Sequence, residues 1–192
     1  WQRHDIGPSV HAGIGAGDID GDGDVDVARS NLWFDNADGK AAKWVVHENI
    51  PFGNPNQPYA LATHCVVVDL DRDGDSDLVM TENEIKGGRI GWLENRDGRG
   101  GAWNLHELPQ AGAAKRGAYH SLIVADFDND GDADVVSCEM EGIPGDLPPR
   151  WFLWENADGK GQRFAEHVIL DANLGGHLAI AADVDGDGDL DI

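Results

Sequence analysis

An all-β fold of repeated four-stranded units is what this sequence predicts, and three observations predict it. An aspartate-rich motif recurs four times, as DIDGDGDVDVA from Asp18, DLDRDGDSDLV from Asp69, DFDNDGDADVV from Asp126 and DVDGDGDLDI from Asp183. Its spacings of 51, 57 and 57 residues lie just past the roughly 40–50 residues of most propeller blades. Short apolar runs of strand length surround each motif, and no stretch has the spacing of a long amphipathic helix.

One repeat reads as four strands. HCVVVD (64–69) is almost wholly apolar, the pattern of a strand buried on both faces. The aspartate loop leads from it into SDLVMTE (76–82). After a variable segment comes RIGWLEN (89–95), and a glycine-containing turn then leads to AWNLHEL (102–108). An Asn-x-Asp-Gly turn signal follows the third strand in each repeat, within LWFDNADGK, GWLENRDGRG and LWENADGKG. Four strands per repeat with the most apolar one first describe a β-propeller of four-stranded antiparallel blades. Residues 9–50, 60–108 and 117–170 read as blades, 1–8 as the outer strand of a preceding blade and 175–192 as the start of a further one. The sequence therefore reads as about three blades plus flanking strands, with the remainder of the propeller expected from sequence outside it.

Composition narrows the function. Hydrophobic residues make up 41% of the 192, which is a globular composition. With 14 basic and 36 acidic residues the net charge is −22, so a nucleic-acid partner is not expected. No apolar run approaches the roughly 18–20 residues of a membrane span, so no membrane insertion is expected. The two cysteines, Cys65 and Cys138, read as small buried hydrophobes rather than a disulfide framework.

The aspartate loops carry the strongest chemical signal. Each follows D-x-D-x-D-G-D-x-D, with carboxylates at positions 1, 3, 5 and 9 and a backbone carbonyl at 7 able to wrap a hard cation in oxygen. Glycine at position 6 (Gly23, Gly74, Gly131, Gly188) permits the bend that brings the later ligands back. An EF-hand is excluded, because its position-12 glutamate is replaced by Arg29, Met80 and Ser137. Calcium suits this donor set better than magnesium, which keeps its waters and takes fewer carboxylates. The candidate ligands are Asp18, Asp20, Asp22, Asp24 and Asp26; Asp69, Asp71, Asp73, Asp75 and Asp77; Asp126, Asp128, Asp130, Asp132 and Asp134; and Asp183, Asp185, Asp187, Asp189 and Asp191. Position 7 is expected to bind through its carbonyl, leaving its carboxylate free at the rim. These 20 residues hold most of the negative charge, since the other 16 acidic and 14 basic residues net only −2. Up to four Ca²⁺ ions would bring −22 to −14.

These loops resemble those of the FG-GAP/VCBS repeat family, whose best-known member is the integrin α-subunit head. The resemblance implies calcium ligation at the positions just named, in a loop between the first and second strands of each blade. The W-x-E-N and W-x-x-H elements (Trp92–Asn95, Trp44–His47, Trp103–His106) are also similar to those in propeller domains of aldos-2-ulose dehydratase.

On the opposite face, His11, His64, His120 and His177 precede the four loops and fall where the inner strands begin. Converging imidazoles could hold a transition metal, exchange protons or bind a sugar. A structural hydrogen bond repeated by duplication is the reading the sequence favours. His47, His106 and His167 read as outer-strand residues paired with aromatics, and Trp33, Trp92 and Trp154 as blade packing. Segments 48–63, 81–88, 109–119 and 139–150 break the repeat and hold Glu82, Glu84, Lys86, Lys115, Arg116, Tyr119, Glu139, Glu141 and Arg150, a mixed set able to grip a ligand.

Two functions are therefore expected in competition. The first is a non-catalytic, calcium-stabilised module binding a protein or glycan outside the cell, secreted, periplasmic or on the cell surface, as in cell adhesion. The alternative is a carbohydrate-active lyase or dehydratase, with His11, His64, His120, His177, Glu82 and Glu139 in acid and base roles.

Overall fold

The computed structural model describes residues 3–7, 13–56, 61, 63–112, 116–141 and 147–192. Three four-stranded sheets are formed and no helix is present among these residues. The first sheet comprises β1 (Gly15–Gly17), β2 (Asp26–Arg29), β3 (Leu32–Asp35) and β4 (Val45–His47). The second comprises β5 (Thr63–Val68), β6 (Asp77–Glu82), β7 (Ile90–Asn95) and β8 (Trp103–Glu107). The third comprises β9 (Ile123–Ala125), β10 (Asp134–Cys138), β11 (Trp151–Asn156) and β12 (Phe164–Leu170). Strands follow chain order across each sheet and every neighbouring pair is antiparallel, the up-and-down meander of a propeller blade.

The strand buried on both faces is not the first of each blade but the second. All six residues of β6 and all five of β10 are buried, whereas four of the six residues of β5 are half-buried and β9 is half-buried throughout. An inner strand has one sheet edge with no neighbour, while a second strand is flanked on both edges and covered on both faces. Along β6, Leu78 and Met80 join a core against the first blade and Val79 joins a core against the third. Cores thus lie between blades, as the period-2 alternation of a strand requires.

Small residues set how closely blades approach. A side chain on Gly15 or Gly17 would lie 2.9 Å from Cys65 Sγ or 2.7 Å from a methyl of Val67. Polar bonds then cross the same boundaries. The Trp33 indole donates to the Gly100 carbonyl at 3.2 Å, and Trp92 repeats this with Gly161 at 3.0 Å. Asn95 donates its side-chain amide to the Ile19 carbonyl of the preceding blade at 2.9 Å, and Asn156 reaches Leu70 in the same way at 3.4 Å.

Trp154 does not repeat Trp33 and Trp92. Those two stand three residues before the strand-ending asparagine, whereas Trp154 stands two before Asn156, so strand parity turns it to the other face. There it packs on Tyr119 and Phe152 and donates to the Pro109 carbonyl at 2.7 Å. The expected outer strand at the start of the chain is not seen in residues 3–7, which carry no strand, and Trp1 lies outside the described residues. At the other end, Ala182 pairs with Asp191 in an isolated bridge, because only that one residue of a following strand runs beside it.

Gly161 has φ +65°, and a side chain there would lie 2.6 Å from the Trp92 ring. We expect Gly161→Ala to lower stability by about 2–4 kcal/mol through backbone strain and displacement of that ring, read from urea denaturation.

Candidate metal centre

Each aspartate loop is closed at both ends by its own carboxylates. The residue before position 1 pairs across the ladder with position 9 in all four copies, as Gly17 with Asp26, Val68 with Asp77, Ala125 with Asp134 and Ala182 with Asp191. Position 1 then accepts a hydrogen bond from the position-6 glycine amide, at 3.0 Å in the first and third loops and 3.2 Å in the second and fourth. Those four glycines have φ between +92° and +100°, a conformation strained for any other residue.

Position 9 has a role that its place in the motif does not suggest. One oxygen of Asp26, Asp77, Asp134 and Asp191 accepts the position-2 amide, from Ile19, Leu70, Phe127 and Val184, at 3.0–3.1 Å. In the three complete blades the other oxygen accepts the amide of the asparagine ending the third strand: Asn36 at 2.9 Å, Asn95 at 2.9 Å and Asn156 at 2.8 Å. The asparagine side-chain carbonyl in turn accepts from Ala41, Gly100 or Gly161, closing the next turn. The recurring asparagine of the Asn-x-Asp-Gly signal was the visible trace of this bond.

Carboxylates gather inside each loop. Ligand oxygens of Asp18, Asp20 and Asp22 lie within 4.8 Å of one another, as do those of Asp69, Asp71 and Asp77, of Asp126, Asp128 and Asp134, and of Asp183, Asp185 and Asp191. Positions 1 and 3 take part in all four groups and position 9 in three. Asp73, Asp130 and Asp187 instead accept the position-7 amides of their loops at 3.0 Å. Burial, with neighbouring aspartates adding to it, raises Asp20 and Asp71 above the ordinary carboxylate range and pushes Asp77 up to about 7. Asp126 Oδ1 and Asp132 Oδ1 are buried and have no hydrogen-bond partner. An all-oxygen donor set, mutual repulsion and the partnerless buried oxygen of Asp126 together fit a hard cation such as Ca²⁺.

The position-7 carboxylates are not free at the rim. Asp24, Asp75 and Asp132 lie against Gly39, Gly98 and Gly159 of their own blades, so closely that a side chain on those glycines would meet them. Asp132 is only 8% exposed, and burial, with Asp130 and Asp134 nearby, pushes it up to about 6. The turn after the third strand leaves these carboxylates no other place.

On the opposite face the histidines form a row. His64 donates from Nε2 to the His120 carbonyl at 3.0 Å, and His120 donates from Nδ1 to the His177 carbonyl at 3.3 Å. Their rings meet edge to face, with centroids 5.9 and 4.4 Å apart. Burial holds His64 below the usual imidazole range. His11 and Lys115 lie outside the described residues. Glu82 accepts from the Arg89 backbone at 2.8 Å and from its guanidinium at 2.9 Å. Glu139 accepts from the Arg116 guanidinium, from the Gly117 amide at 3.3 Å and from the Arg150 amide at 3.0 Å. Each glutamate thus ties the segment after its strand back to the blade, and Arg89 and Arg116 stack over Phe52 and Phe152. Among the described residues no histidine joins a group of three metal-ligating side chains.

The outer-strand histidines stack on cross-strand tryptophans rather than on the aromatics three residues before them. His47 lies 4.2 Å from Trp33 and His106 lies 4.5 Å from Trp92, both nearly parallel. His167 faces Leu153 in the ladder and bonds Glu155 at 3.0 Å, which follows from the displaced position of Trp154. Cys65 and Cys138 are buried free thiols.

Residues 69–137 match the family model of the FG-GAP-like repeat. A search of curated proteins returned no match. The FG-GAP-like stretch begins at Asp69, position 1 of the second loop, and ends within β10 after the third. It therefore contains two of the four carboxylate groups.

In chelator, Asp77→Ala is expected to cost about 3 kcal/mol, because the buried amides of Leu70 and Asn95 lose their acceptor. The exposed carboxylate of Asp73 should cost less than about 1 kcal/mol when removed in the same way. Urea denaturation of both variants in EDTA checks the contrast.

Proposed function

We propose that the chain is a calcium-stabilised FG-GAP-like propeller module that binds a protein or glycan outside the cell. One observation carries the reading: a cluster of three carboxylates, always including positions 1 and 3 of the same closed loop, recurs at four places in register with the blades. A bound Ca²⁺ supplies positive charge that offsets the repulsion within each cluster. Positions 1 and 3 present oxygens inward, position 6 allows the bend, and position 9 ties the loop to the ladder. The cation's role is thereby structural. Millimolar calcium outside cells suits modules of this kind.

The binding surface in this reading is the face away from the loops, where Glu84 and Lys86 stand in the segment after β6. Cations stiffen one end of every blade, and the segments at the other end differ from blade to blade. Such variation on a rigid frame suits recognition of one ligand. No observation favours the lyase or dehydratase alternative, since His64, His120, Glu82 and Glu139 already hold carbonyls, amides and arginines of the fold.

Addition of Ca²⁺ after EDTA should raise the melting temperature by several degrees, and more at higher concentration, as mass action requires. A melting curve unmoved by either addition would overturn the calcium assignment. For the ligand, calcium-loaded protein on a glycan array should lose its signal on joint Glu84→Ala and Lys86→Ala substitution with its melting temperature unchanged. Release of an unsaturated or dehydrated sugar would support the alternative instead.

A further inference from the structure

At position 4 of the second and third loops a side chain reaches past its own carboxylate cluster toward the next loop. Asn129, at position 4 of the third loop, donates its side-chain amide to Asp189, at position 7 of the fourth, at 2.6 Å. Arg72, at the same position of the second loop, brings its guanidinium within 3.7 Å of where a side chain on Gly131 of the third loop would begin. The first loop has Gly21 there, with no side chain. Beside Gly21 a cleft of about 570 Å³ stands open, lined by Asp20, Asp22, Asp75, Asp97, Gly98 and Arg99. The backbone at this position is alike in all four loops, with φ +76° at Gly21, +63° at Arg72, +61° at Asn129 and +81° at Gly186. At this position the loops therefore differ in side chain and not in backbone.

We propose that the position-4 residues latch neighbouring cation loops together, so that the second, third and fourth loops order as a linked block while the first stands apart. The inference rests on the calcium reading for its ligand but not for its mechanics. Arg72 sits between Asp71 and Asp73, and Asn129 between Asp128 and Asp130, so each latch is flanked on both sides by loop carboxylates. Gathering those carboxylates around a cation fixes the residue between them, and through it the position-7 side of the next loop. Coupling of this kind is reciprocal, so order in the fourth loop also favours order in the third. With neither a donor nor a cation at position 4, the first loop has no latch of this kind on the second and meets it through the Asn95–Ile19 bond, whose counterpart Asn156–Leu70 joins the next two.

Hydrogen–deuterium exchange in EDTA tests the latch without any metal. Asn129→Gly keeps the positive φ and removes the amide. It should speed exchange several-fold at the amides of 186–189 and leave those of 21–24 unchanged. Unchanged exchange in the fourth loop overturns the proposal, and so does equal acceleration in the first. Calorimetric titration with Ca²⁺ gives the second readout. The wild-type protein should show one independent site and a cooperative set of three, and Asn129→Gly should separate the fourth loop from that set. Gly21→Asn, which copies the third loop, should draw the first site into the set. Four independent sites in the wild-type protein overturn the proposal. If the wild-type protein takes up no calcium, the calcium reading fails, and the exchange result still decides whether the latch exists.

Discussion

The architecture depends on a buried carboxylate with two backbone amides to hold. Asp26, Asp77 and Asp134 are each 1% exposed, and each bonds the second residue of its loop with one oxygen and the end of its third strand with the other. Burying a charged group without partners is costly, and two amide donors offset much of that cost. Because the two donors lie 7 and 18 residues away in the second blade, the bond fixes the loop and the third strand at once. Asn95 and Asn156 then carry the order across to the preceding blade.

This arrangement explains why acidic residues are so dense without the fold flying apart. Some loop aspartates work on the backbone, as caps and bridges, and the clusters at positions 1 and 3 hold the remaining repulsion. A hard cation would relieve that repulsion. Scaffold and candidate cation site are therefore built from the same motif, with position 9 serving both in three of the four loops.

Much of this was legible in the sequence. The fourfold DxDxDGDxD spacing and the Asn-x-Asp-Gly turns locate the loops, and the strand runs of the second blade fall within a residue of β5 to β8. Burial was harder, because an apolar run such as HCVVVD reports hydrophobicity but not how many neighbours a strand has. Hence β6, with its polar Thr81 and Glu82, proved the more enclosed. Trp33, Trp92 and Trp154 all pack in the core, as the sequence reads them, but one lies on the other face. Trp154 looks equivalent to Trp92 by motif, but a shift of one residue reverses the face it presents. Glu82 and Glu139 looked available because their arginines, Arg89 and Arg116, meet them only once the loops fold back.

The bonds between blades also bear on how such a chain can grow by duplication. Ile19 is held by Asn95 and Leu70 by Asn156, so the first two blades each keep part of their order in the next. These bonds join residues 76 and 86 positions apart, more than the 57 of one repeat, so a copied repeat carries one half of each junction. It finds the other half in whichever copy lies beside it, wherever the ends of the segment are cut.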